Sequence, residues 1–297
     1  MVEDVSVVVV AYNALPWIER CLESVRGHET IVVDNGSSDG TPAFVRERFP
    51  DVRLIEQENI GMGGGNNAGM RVASGRYFLL LNSDAWVVGD AVERLVRFAD
   101  EHPDAAVVGP RLQYPDGRLQ RSVRAFPTLW RLATEYLFLR KLGPRTQVLN
   151  SFYGGGFAHD ETREVDWLFG PCLLVRRHAA DEVGLFDEDF FMFSEETDWS
   201  YRFHQAGWKV YFHPDAEVVH VGGASHGDRL YRENVRSHLR YFAKHHGSAS
   251  AERARKVMLA GARIRARVYR GERRERYADA ARWLAASSVR ELLDEPR

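Results

Sequence analysis

The most constraining feature of this sequence is an uninterrupted apolar run that ends in three small polar residues. Residues 77–81 are all apolar, and Asn82, Ser83 and Asp84 follow at once. Because a strand covered on both faces needs no polar alternation, the run predicts a buried strand of a parallel α/β sheet. Such sheets bind ligands at the carboxyl ends of their strands. Asn-Ser-Asp by itself is also typical of a simple turn, so the rest of the chain has to decide between turn and site.

Size and composition indicate a folded domain with no nucleic-acid partner. With 297 residues, 44% of them hydrophobic and 28% charged, the chain can bury one large α/β core or a core with a smaller appendage. A formal net charge of −2 provides no positive field for phosphate backbones. Cys21 and Cys172 lie in apolar segments far apart, which predicts buried free thiols in a reducing compartment. With no secretory signal and no apolar span of ~20 residues, we expect a cytoplasmic protein that is at most peripheral to a membrane.

Strand-like and helix-like segments alternate through the first hundred residues. This alternation predicts a right-handed, mainly parallel sheet with helices on both faces, an α/β fold. The predicted strands are residues 5–10, 31–33, 52–55, 77–81 and 106–109, and the predicted helices are residues 16–25, a segment from Pro42, a segment after the glycine-rich stretch at 59–69, and residues 91–100.

Further polar clusters follow the other predicted strands. Ala11, Tyr12 and Asn13 end the first strand, Asp34 opens a polar run at residues 34–41, and the glycine-rich stretch includes Gly65 and Asn67. Each cluster alone passes for a surface turn. Because parallel strands point their carboxyl ends to one edge, the clusters predict one crevice that suits a nucleotide. There Asp34 would accept a hydrogen bond from a base imide, backbone amides would approach the ribose or phosphates, and Asp84 would act through a divalent cation.

The second half carries a group of acids after a very apolar approach. Glu195, Glu196 and Asp198 follow an aromatic run at residues 190–193. On the first turn of a helix the acids are tolerated by the helix dipole, and a plain N-terminal charge cluster is one interpretation. The other is that the apolar approach desolvates one acid and prepares it as a general base.

Two basic segments suggest contact with an anionic surface. Residues 118–141 mix arginines with aromatic and leucine side chains, which is typical of an interface-seeking stretch and equally of core packing beneath a basic face. Residues 228–297 are predicted to be helical, with either a surface-binding or an ordinary solvated face. The cations concerned are Arg253, Arg255, Lys256, Arg263, Arg265, Arg267 and Arg270. Residues 151–158 are predicted to form a mobile loop between two halves, and residues 208–212 an edge strand.

Taken in order, these motifs resemble those of family 2 glycosyltransferases. The carriers are the runs at residues 8–13, 32–41, 59–69 and 81–84, the acids from Glu195, and residues 217–225. The resemblance implies a GT-A fold with a nucleotide-sugar-binding half at residues 1–110, an acceptor-binding and catalytic half at 111–226 and a helical extension at 227–297. In the family's Asp-x-Asp metal motif the first position is here Asn82, which leaves Asp84 as the firmer ligand.

The resemblance also assigns roles to individual residues. Asp84 and His220 would hold Mg²⁺ or Mn²⁺, Glu196 would be the catalytic base with Glu195 as the alternative, and Asp198 would tie its helix to a loop through Arg202. The donor would contact Ala11, Tyr12, Asn13, Asp34, Gly65, Asn67, Asn82 and Ser83.

The motif variants look most like bacterial rhamnosyltransferases of cell-surface polysaccharide synthesis. They imply dTDP-L-rhamnose as donor and a saccharide, typically linked to a lipid diphosphate, as acceptor; the sequence sets no oligomeric state. Two alternatives stay open. One is a non-catalytic relative that binds a nucleotide sugar or glycan. The other is a dinucleotide-dependent oxidoreductase, because residues 63–68 also satisfy G-x-G-x-x-A.

Overall fold

A computed structural model of the chain describes residues 4–143, 146, 148–222 and 228–295. The chain divides into two compact units. The sheet unit comprises Met1–Arg124, Ala158–Phe191 and Glu195–Gly223, and the helical unit comprises Ala125–Phe157, Met192–Ser194 and Ala224–Arg297. The functional boundaries expected at residues 110 and 226 stay a prediction, and residues 223–225, where the sequence resemblance ends, lie outside the described part.

The elements alternate as expected through the first hundred residues. The strands are β1 Val5–Ala11, β2 Glu29–Asp34, β3 Arg53–Glu56, β4 Tyr77–Asn82, β5 Ala85–Val88, β6 Ala105–Gln113, β7 Leu119–Gln120, β8 Val123–Arg124, β9 Arg163–Val165, β10 Trp167–Leu168, β11 Cys172–Arg176 and β12 Lys209–His220. The helices are α1 Ile18–Glu23, α2 Thr41–Arg48, α3 Gly61–Val72, α4 Ala91–Glu101, α5 Leu129–Tyr136, α6 Arg177–Val183, α7 Glu195–Gln205, α8 Asp228–His246, α9 Ser248–Val268, α10 Gly271–Ala286 and α11 Val289–Asp294, with short 3₁₀ helices at Leu139–Leu142 and Ser151–Gly156.

The sheet unit is built on one central sheet of strand order β3-β2-β1-β4-β11-β6-β12-β5. Its first four strands are parallel, β11 is antiparallel to both β4 and β6, and β12 is parallel to β6. Ala11 pairs with Asp34 on one side of β1, and Val10 pairs with Asn82 on the other. The predicted α/β sheet is therefore confirmed, and the ends of β2 and β4 flank the end of β1.

The glycine-rich stretch differs from the prediction, since the helix does not follow it but contains it. Helix α3 begins at Gly61 and includes Gly65 and Gly69. A methyl group on Gly65 would lie 2.8 Å from a Val10 side-chain carbon, and one on Gly69 would lie 2.3 Å from a Val8 carbon. Glycine costs a helix ~1 kcal/mol relative to alanine, but here it lets α3 approach β1 closely.

The predicted edge strand at residues 208–212 is also corrected. It is the beginning of β12, which pairs with β6 on one side and with β9 and β5 on the other, so it is an interior strand. The alternating burial of Lys209, Val210, Tyr211 and Phe212 reports only that one face of the strand is covered. Alternation carries no information about hydrogen-bonded neighbours, which come from distant parts of the chain.

The helical unit packs around α9, which contacts α5, α8, α10 and α11. Ala251, Ala254, Met258 and Ala262 form the buried side of α9. The segment predicted as a mobile loop contains the 3₁₀ helix Ser151–Gly156, interrupted by non-helical backbone at its glycines. In the part of the chain described above, no helix is both long and apolar enough to cross a membrane.

Candidate active site

The loops that follow β1 and β2 are tied to one another by short polar contacts. The Asn13 backbone N–H donates to Ser37 Oγ at 2.8 Å, and the Ser38 N–H donates to Asn13 Oδ1 at 2.8 Å. Ala11 is buried, whereas Tyr12 is 56% exposed. The structure thus gives the Asn13 side chain a role in holding the loops, and it leaves the Tyr12 ring accessible at the sheet edge.

Asp34 is the last residue of β2, and only one of its two carboxylate oxygens is hydrogen-bonded to described residues. Its Oδ2 accepts hydrogen bonds from the backbone N–H groups of Gly36 at 3.1 Å and Ser37 at 2.9 Å. Its Oδ1 is buried and has no partner among the described residues, although the side chain is only 2% exposed. Since a buried carboxylate oxygen without a donor costs free energy, this atom is suited to accept a hydrogen bond from a ligand.

Gly65 and Asn67 of the glycine-rich stretch were predicted to contact the donor. In this structure both make contacts that stabilise the fold. Gly65 packs on Val10, as described above. Asn67 is 1% exposed, and its amide donates to Phe186 O and Glu188 Oε1, both at 2.9 Å, and accepts from Phe186 N–H. Their predicted contact with the donor stays a prediction.

Asp84 and His220 come together as predicted, although 136 positions separate them in the chain. Asp84 Oδ1 lies 3.2 Å from His220 Nε2, and Asp84 Oδ2 accepts from the Gly222 N–H at 3.2 Å. Strand β5, directly after Asp84, pairs with the end of β12, where Ala85 lies opposite His220. Burial raises the pKa of Asp84, but the hydrogen bond and charge of His220 and the Gly222 amide outweigh it, so the pKa lies below the usual value and the carboxylate is ionised.

Gln120 orients the imidazole and was not identified from the sequence. The His220 Nδ1 lies 2.9 Å from Gln120 Oε1, and both side chains are buried. Because an amide oxygen only accepts, Nδ1 carries a proton, and Nε2 is the nitrogen directed at Asp84. Nε2 donates to Asp84 when it is protonated as well, and a cation bound between the two residues would replace that second proton. A histidine oriented in this way is typical of a metal ligand. No local pattern marks Gln120, since it reaches the site through the short strand β7.

The Asp84 and His220 pair fits a divalent cation that is also held by phosphates. The two ligand atoms are close enough to share one ion at the usual ~2.1 Å per bond. Across the described residues, no group of three or more His, Cys, Asp or Glu side chains could hold a metal. Two protein ligands plus diphosphate oxygens and water is a usual arrangement for Mg²⁺. Asn82, the last residue of β4, and Ser83 are half-buried beside Asp84.

Glu196 lies on the first turn of α7 and has no ion pair with any residue that the structure describes. Its carboxylate lies against Gly170: a methyl group there would come within 2.2 Å of Glu196 Oε1. Burial raises the pKa of Glu196 to about 7, and the backbone N–H groups of Glu196 and Gly170 offset only part of that effect. A carboxylate with a pKa near neutrality suits a general base, because it is ionised at working pH and still basic enough to take a proton.

The neighbouring acids have different surroundings. Asp198 is fully buried and pairs with Arg202 Nε at 2.9 Å, and Arg202 also donates to the carbonyls of Val183, Gly184 and Leu185. Glu195 is buried and packs toward α3, where its Cβ lies 3.8 Å from a methyl group built on Gly63. Of the three acids, Glu195 and Asp198 are thus buried, and Glu196 is half-buried.

The short segment Phe169 and Gly170 contacts both His220 and Glu196. The sequence did not predict this segment as part of the site. The Phe169 ring makes an edge contact with the His220 imidazole at 5.9 Å between centroids, and the adjacent Gly170 contacts Glu196. The Phe169 N–H donates to Ser122 O at 2.9 Å, which anchors the segment. His220 and Glu196 therefore each contact one residue of the same two-residue segment. Gly170-Pro171 is visible in the sequence as a turn, but its neighbours are not.

A mixed, mostly parallel sheet with carboxylates gathered at its carboxyl edge is the fold of GT-A glycosyltransferases. Two solved structures share it: S. aureus TarS with UDP-GlcNAc (TM-score 0.55, 16% identity, covering 98% of this chain and 83% of that one) and the mannosyltransferase PcManGT of Pyrobaculum calidifontis with GDP-Man and Mn²⁺ (TM-score 0.54, 19% identity, 97% and 82%). At these identities the likeness concerns the fold alone.

Sequence similarity then gives the family. The family model described as glycosyl transferase family 2 matches residues 6–183. An N-acetylglucosaminyl-diphospho-decaprenol L-rhamnosyltransferase of Mycobacterium tuberculosis (strain ATCC 25618 / H37Rv) is 34% identical over 265 residues, covering 84% of this chain and 83% of the relative. The chain belongs to glycosyl transferase family 2. The resemblance read from the sequence is confirmed, and the oxidoreductase alternative is set aside: Gly63 lies inside α3, not at a strand-to-helix turn.

Proposed function

We propose that the protein is an inverting glycosyltransferase that transfers L-rhamnose from dTDP-L-rhamnose to a saccharide carried on a lipid diphosphate. The observation that carries this proposal is the Glu196 carboxylate with its raised pKa, which lies against Gly170, while the adjacent Phe169 contacts His220 of the Asp84 and His220 pair. The sugar and the acceptor are taken from the mycobacterial rhamnosyltransferase, a relative that matches 84% of this chain. A cytoplasmic location stays a prediction.

The nucleotide preference rests on Asp34. The unpartnered Oδ1 would accept the imide N–H of thymine or uracil, a donor that lies between two carbonyl groups in both bases. The carboxylate is fixed by the Gly36 and Ser37 amides and cannot turn away. The Tyr12 ring at the same edge is accessible to stack on a base.

The reaction needs one proton transfer by a residue of the chain. Glu196 accepts the proton of an acceptor hydroxyl while that oxygen forms the new bond to the anomeric carbon from the face opposite the leaving group. The bond from that carbon to the nucleoside diphosphate breaks in the same displacement, and its electron pair leaves with the diphosphate, so the configuration inverts. A Mg²⁺ or Mn²⁺ ion held by Asp84 and His220 would neutralise charge on the diphosphate.

A donor panel tests the activity and separates it from the non-catalytic alternative. The purified protein is incubated with Mg²⁺, a panel of nucleotide sugars and a polyprenyl-diphosphate-linked N-acetylglucosamine, and released nucleoside diphosphate is measured. We expect release that depends on the acceptor and is fastest with dTDP-L-rhamnose. Binding of a nucleotide sugar without turnover on any acceptor would support the non-catalytic relative and overturn the proposal.

Thermal-shift measurements test the nucleotide and the metal. We expect dTDP with Mg²⁺ to raise the melting temperature, and Asp34→Asn to weaken this effect because the amide presents a donor to the imide. Asp84→Asn should remove the Mg²⁺ dependence, whereas Asp51→Asn, an exposed aspartate with no assigned role, should behave like the parent protein. Equal stabilisation by dTDP in excess chelator would contradict the metal assignment, and stabilisation by GDP alone would contradict the pyrimidine one.

A further inference from the structure

The basic side chains of α9 fall into two sets, one directed into the helical unit and one exposed. The sequence does not distinguish these sets. Arg255 and Arg265 point into the helical unit: Arg255 pairs with Glu252, and Arg265, 9% exposed, donates to the carbonyls of Glu135 and Tyr136 at the end of α5. The guanidinium of Arg265 also lies over the Phe138 ring, 4.5 Å from its centroid. These two cations therefore hold the fold together.

The other four cations share the exposed face of the same helix. Arg253, Lys256, Arg263 and Arg267 are all exposed, and none has an ion pair with any residue in the described ranges. At ~100° per residue they fall within an arc of ~80°, and their ends are ~21 Å apart along the axis. We call these four residues the cation stripe. The single acid of α9, Glu252, is paired with Arg255 and acts on Lys256 only at longer range, so the stripe keeps a net positive charge.

Helix α10 shows that an arginine-rich helix of this unit need not carry such a stripe. Its exposed charges are three acids and three cations, interspersed in the order Glu272, Arg273, Arg274, Glu275, Asp279 and Arg282. Asp279 lies within ion-pair distance of both Arg232 and Arg282. The exposed charges of α10 therefore cancel locally, whereas those of α9 add.

Apolar side chains border the cation stripe. Val268, at the end of α9, is 63% exposed, and Val257 and Ile264 are half-buried on the adjoining side of the helix. A surface that presents several unpaired cations next to accessible aliphatic groups is typical of helices that lie at a membrane interface.

Three arginines of the segment 118–141 have partners within the protein. Arg118 pairs with Asp116, Arg140 pairs with Glu135, and Arg131 donates to Phe126 O. The helix within that segment, α5, has only eight residues. Lys141 is exposed over the Phe138 ring, but of the two segments for which the sequence suggested an anionic partner only α9 places four exposed cations on one helical face in the described ranges.

We propose that the cation stripe of α9 docks the protein on an anionic phospholipid surface. Local charge complementarity supports it, because lipid headgroups present negative charge over a plane long enough for the whole stripe. The aliphatic side chains beside the stripe favour a lipid surface over a nucleic acid, because a phosphate backbone offers them no apolar region. The proposal is independent of the donor sugar and of the proposed glycosyl transfer. It concerns ordinary phospholipids, not a lipid-linked saccharide.

Vesicle flotation of the full chain tests the proposal. The probe is phosphatidylcholine vesicles with about a third phosphatidylglycerol at ~50 mM salt, with no nucleotide and no lipid-linked saccharide present, so the result does not depend on transfer activity. We expect the parent protein to float with these vesicles, to be released at ~500 mM salt, and not to bind phosphatidylcholine alone. Because each basic residue near an anionic surface contributes about fivefold, Arg253→Gln, Lys256→Gln, Arg263→Gln and Arg267→Gln together should weaken partitioning by up to several-hundred-fold.

A matched variant controls for net charge. Arg26, Arg46, Arg48 and Arg94 are also exposed, but each is in an ion pair with a carboxylate. Their combined replacement by Gln changes the net charge equally and should leave flotation within about twofold of the parent protein. Both quadruple variants should keep the parent's melting temperature within a few degrees, since the substituted side chains are exposed.

Three outcomes of the flotation experiment would overturn the proposal. They are parent protein that does not float with anionic vesicles, flotation that the stripe variant keeps, and flotation that both quadruple variants lose equally. Binding to a nucleic-acid duplex that is tighter than binding to vesicles at the same salt would also overturn it, and would assign the stripe to a different class of partner.

Discussion

Glu196 and Asp198 lie two residues apart on the first turn of α7, yet they occupy opposite electrostatic surroundings. Asp198 is fully buried and paired with Arg202. Glu196 is half-buried against the Gly170 backbone and has no ion pair among the described residues, and burial raises its pKa to about 7. The comparison shows that the residue type alone does not decide which acid is suited to act as a base. The acid whose charge is left uncompensated keeps its affinity for a proton, and the paired acid becomes part of the scaffold.

Glu196→Gln is expected to have the largest effect on this pair. Removing the base should lower kcat by ~10³-fold or more, because general-base catalysis contributes ~10²–10⁴-fold. The melting-temperature shift given by dTDP should be unchanged, since the base does not contact the nucleotide. Diphosphate release under saturating donor and acceptor measures the effect, and Glu161→Gln, at an exposed position, is the control. A fully active Glu196→Gln protein would transfer the base assignment to Glu195.

Asp198→Asn should act on stability and not on the chemical step. Breaking a buried pair leaves the Arg202 charge uncompensated, so the free energy of unfolding should fall by ~2–4 kcal/mol. The kcat of the protein that remains folded should stay within a few-fold of the parent value. Urea unfolding followed by tryptophan fluorescence, with kcat measured at low temperature, gives both quantities. A loss of kcat equal to that of Glu196→Gln, without a loss of stability, would place Asp198 in the chemistry.

Gly170→Ala tests whether the position of the Glu196 carboxylate matters. A methyl group at residue 170 would collide with Glu196 Oε1, which lies at the end of a flexible side chain, so the carboxylate should move while the fold persists. We expect kcat to fall ~10–100-fold, since a misplaced catalytic group can cost that much. Glu196→Asp withdraws the carboxylate by one methylene, so the double variant should recover part of the activity lost in Gly170→Ala. Purely additive effects of the two substitutions would show that the contact has no catalytic consequence.

The pH dependence should give the smallest effect, a tenfold change per pH unit at most. Because Glu196 must be ionised to accept a proton, kcat/KM should rise with pH up to about 7 and level off above it. Stability should change in the opposite sense. The folded protein binds the Glu196 proton more tightly than the unfolded chain, so Glu196 lowers the free energy of unfolding as pH rises from 4.5 to about 7. Activity profiles and denaturant midpoints at matched pH values check both directions, and a half-maximal pH near 4.5 would contradict the burial of Glu196.

Local pattern was sufficient to predict the sheet edge and most of its polar groups. The apolar run of β4 predicted the position of Asp84. A run without polar alternation has to be buried, and it ends where the chain leaves the core, so the polar residues after it lie at the sheet edge. The same logic located Asp34 and the acids of α7. It failed at α3, where glycines that usually mark a loop form a helix because Val8 and Val10 lie close beneath them.

The sequence by itself therefore determined the order of strands and helices, the family, and the carboxylates available for chemistry, since each of these depends on residues near one another in the chain. Only the tertiary structure decided what each charged group does. Arg202 pairs with Asp198 and not with Glu196, Gln120 orients His220 from 100 residues away, and Gly170 meets Glu196 from a distant loop. The division of the α9 cations into an inward and an outward set has the same origin. A charge takes its pKa and its partners from the groups around it in space, and those are assembled only by folding.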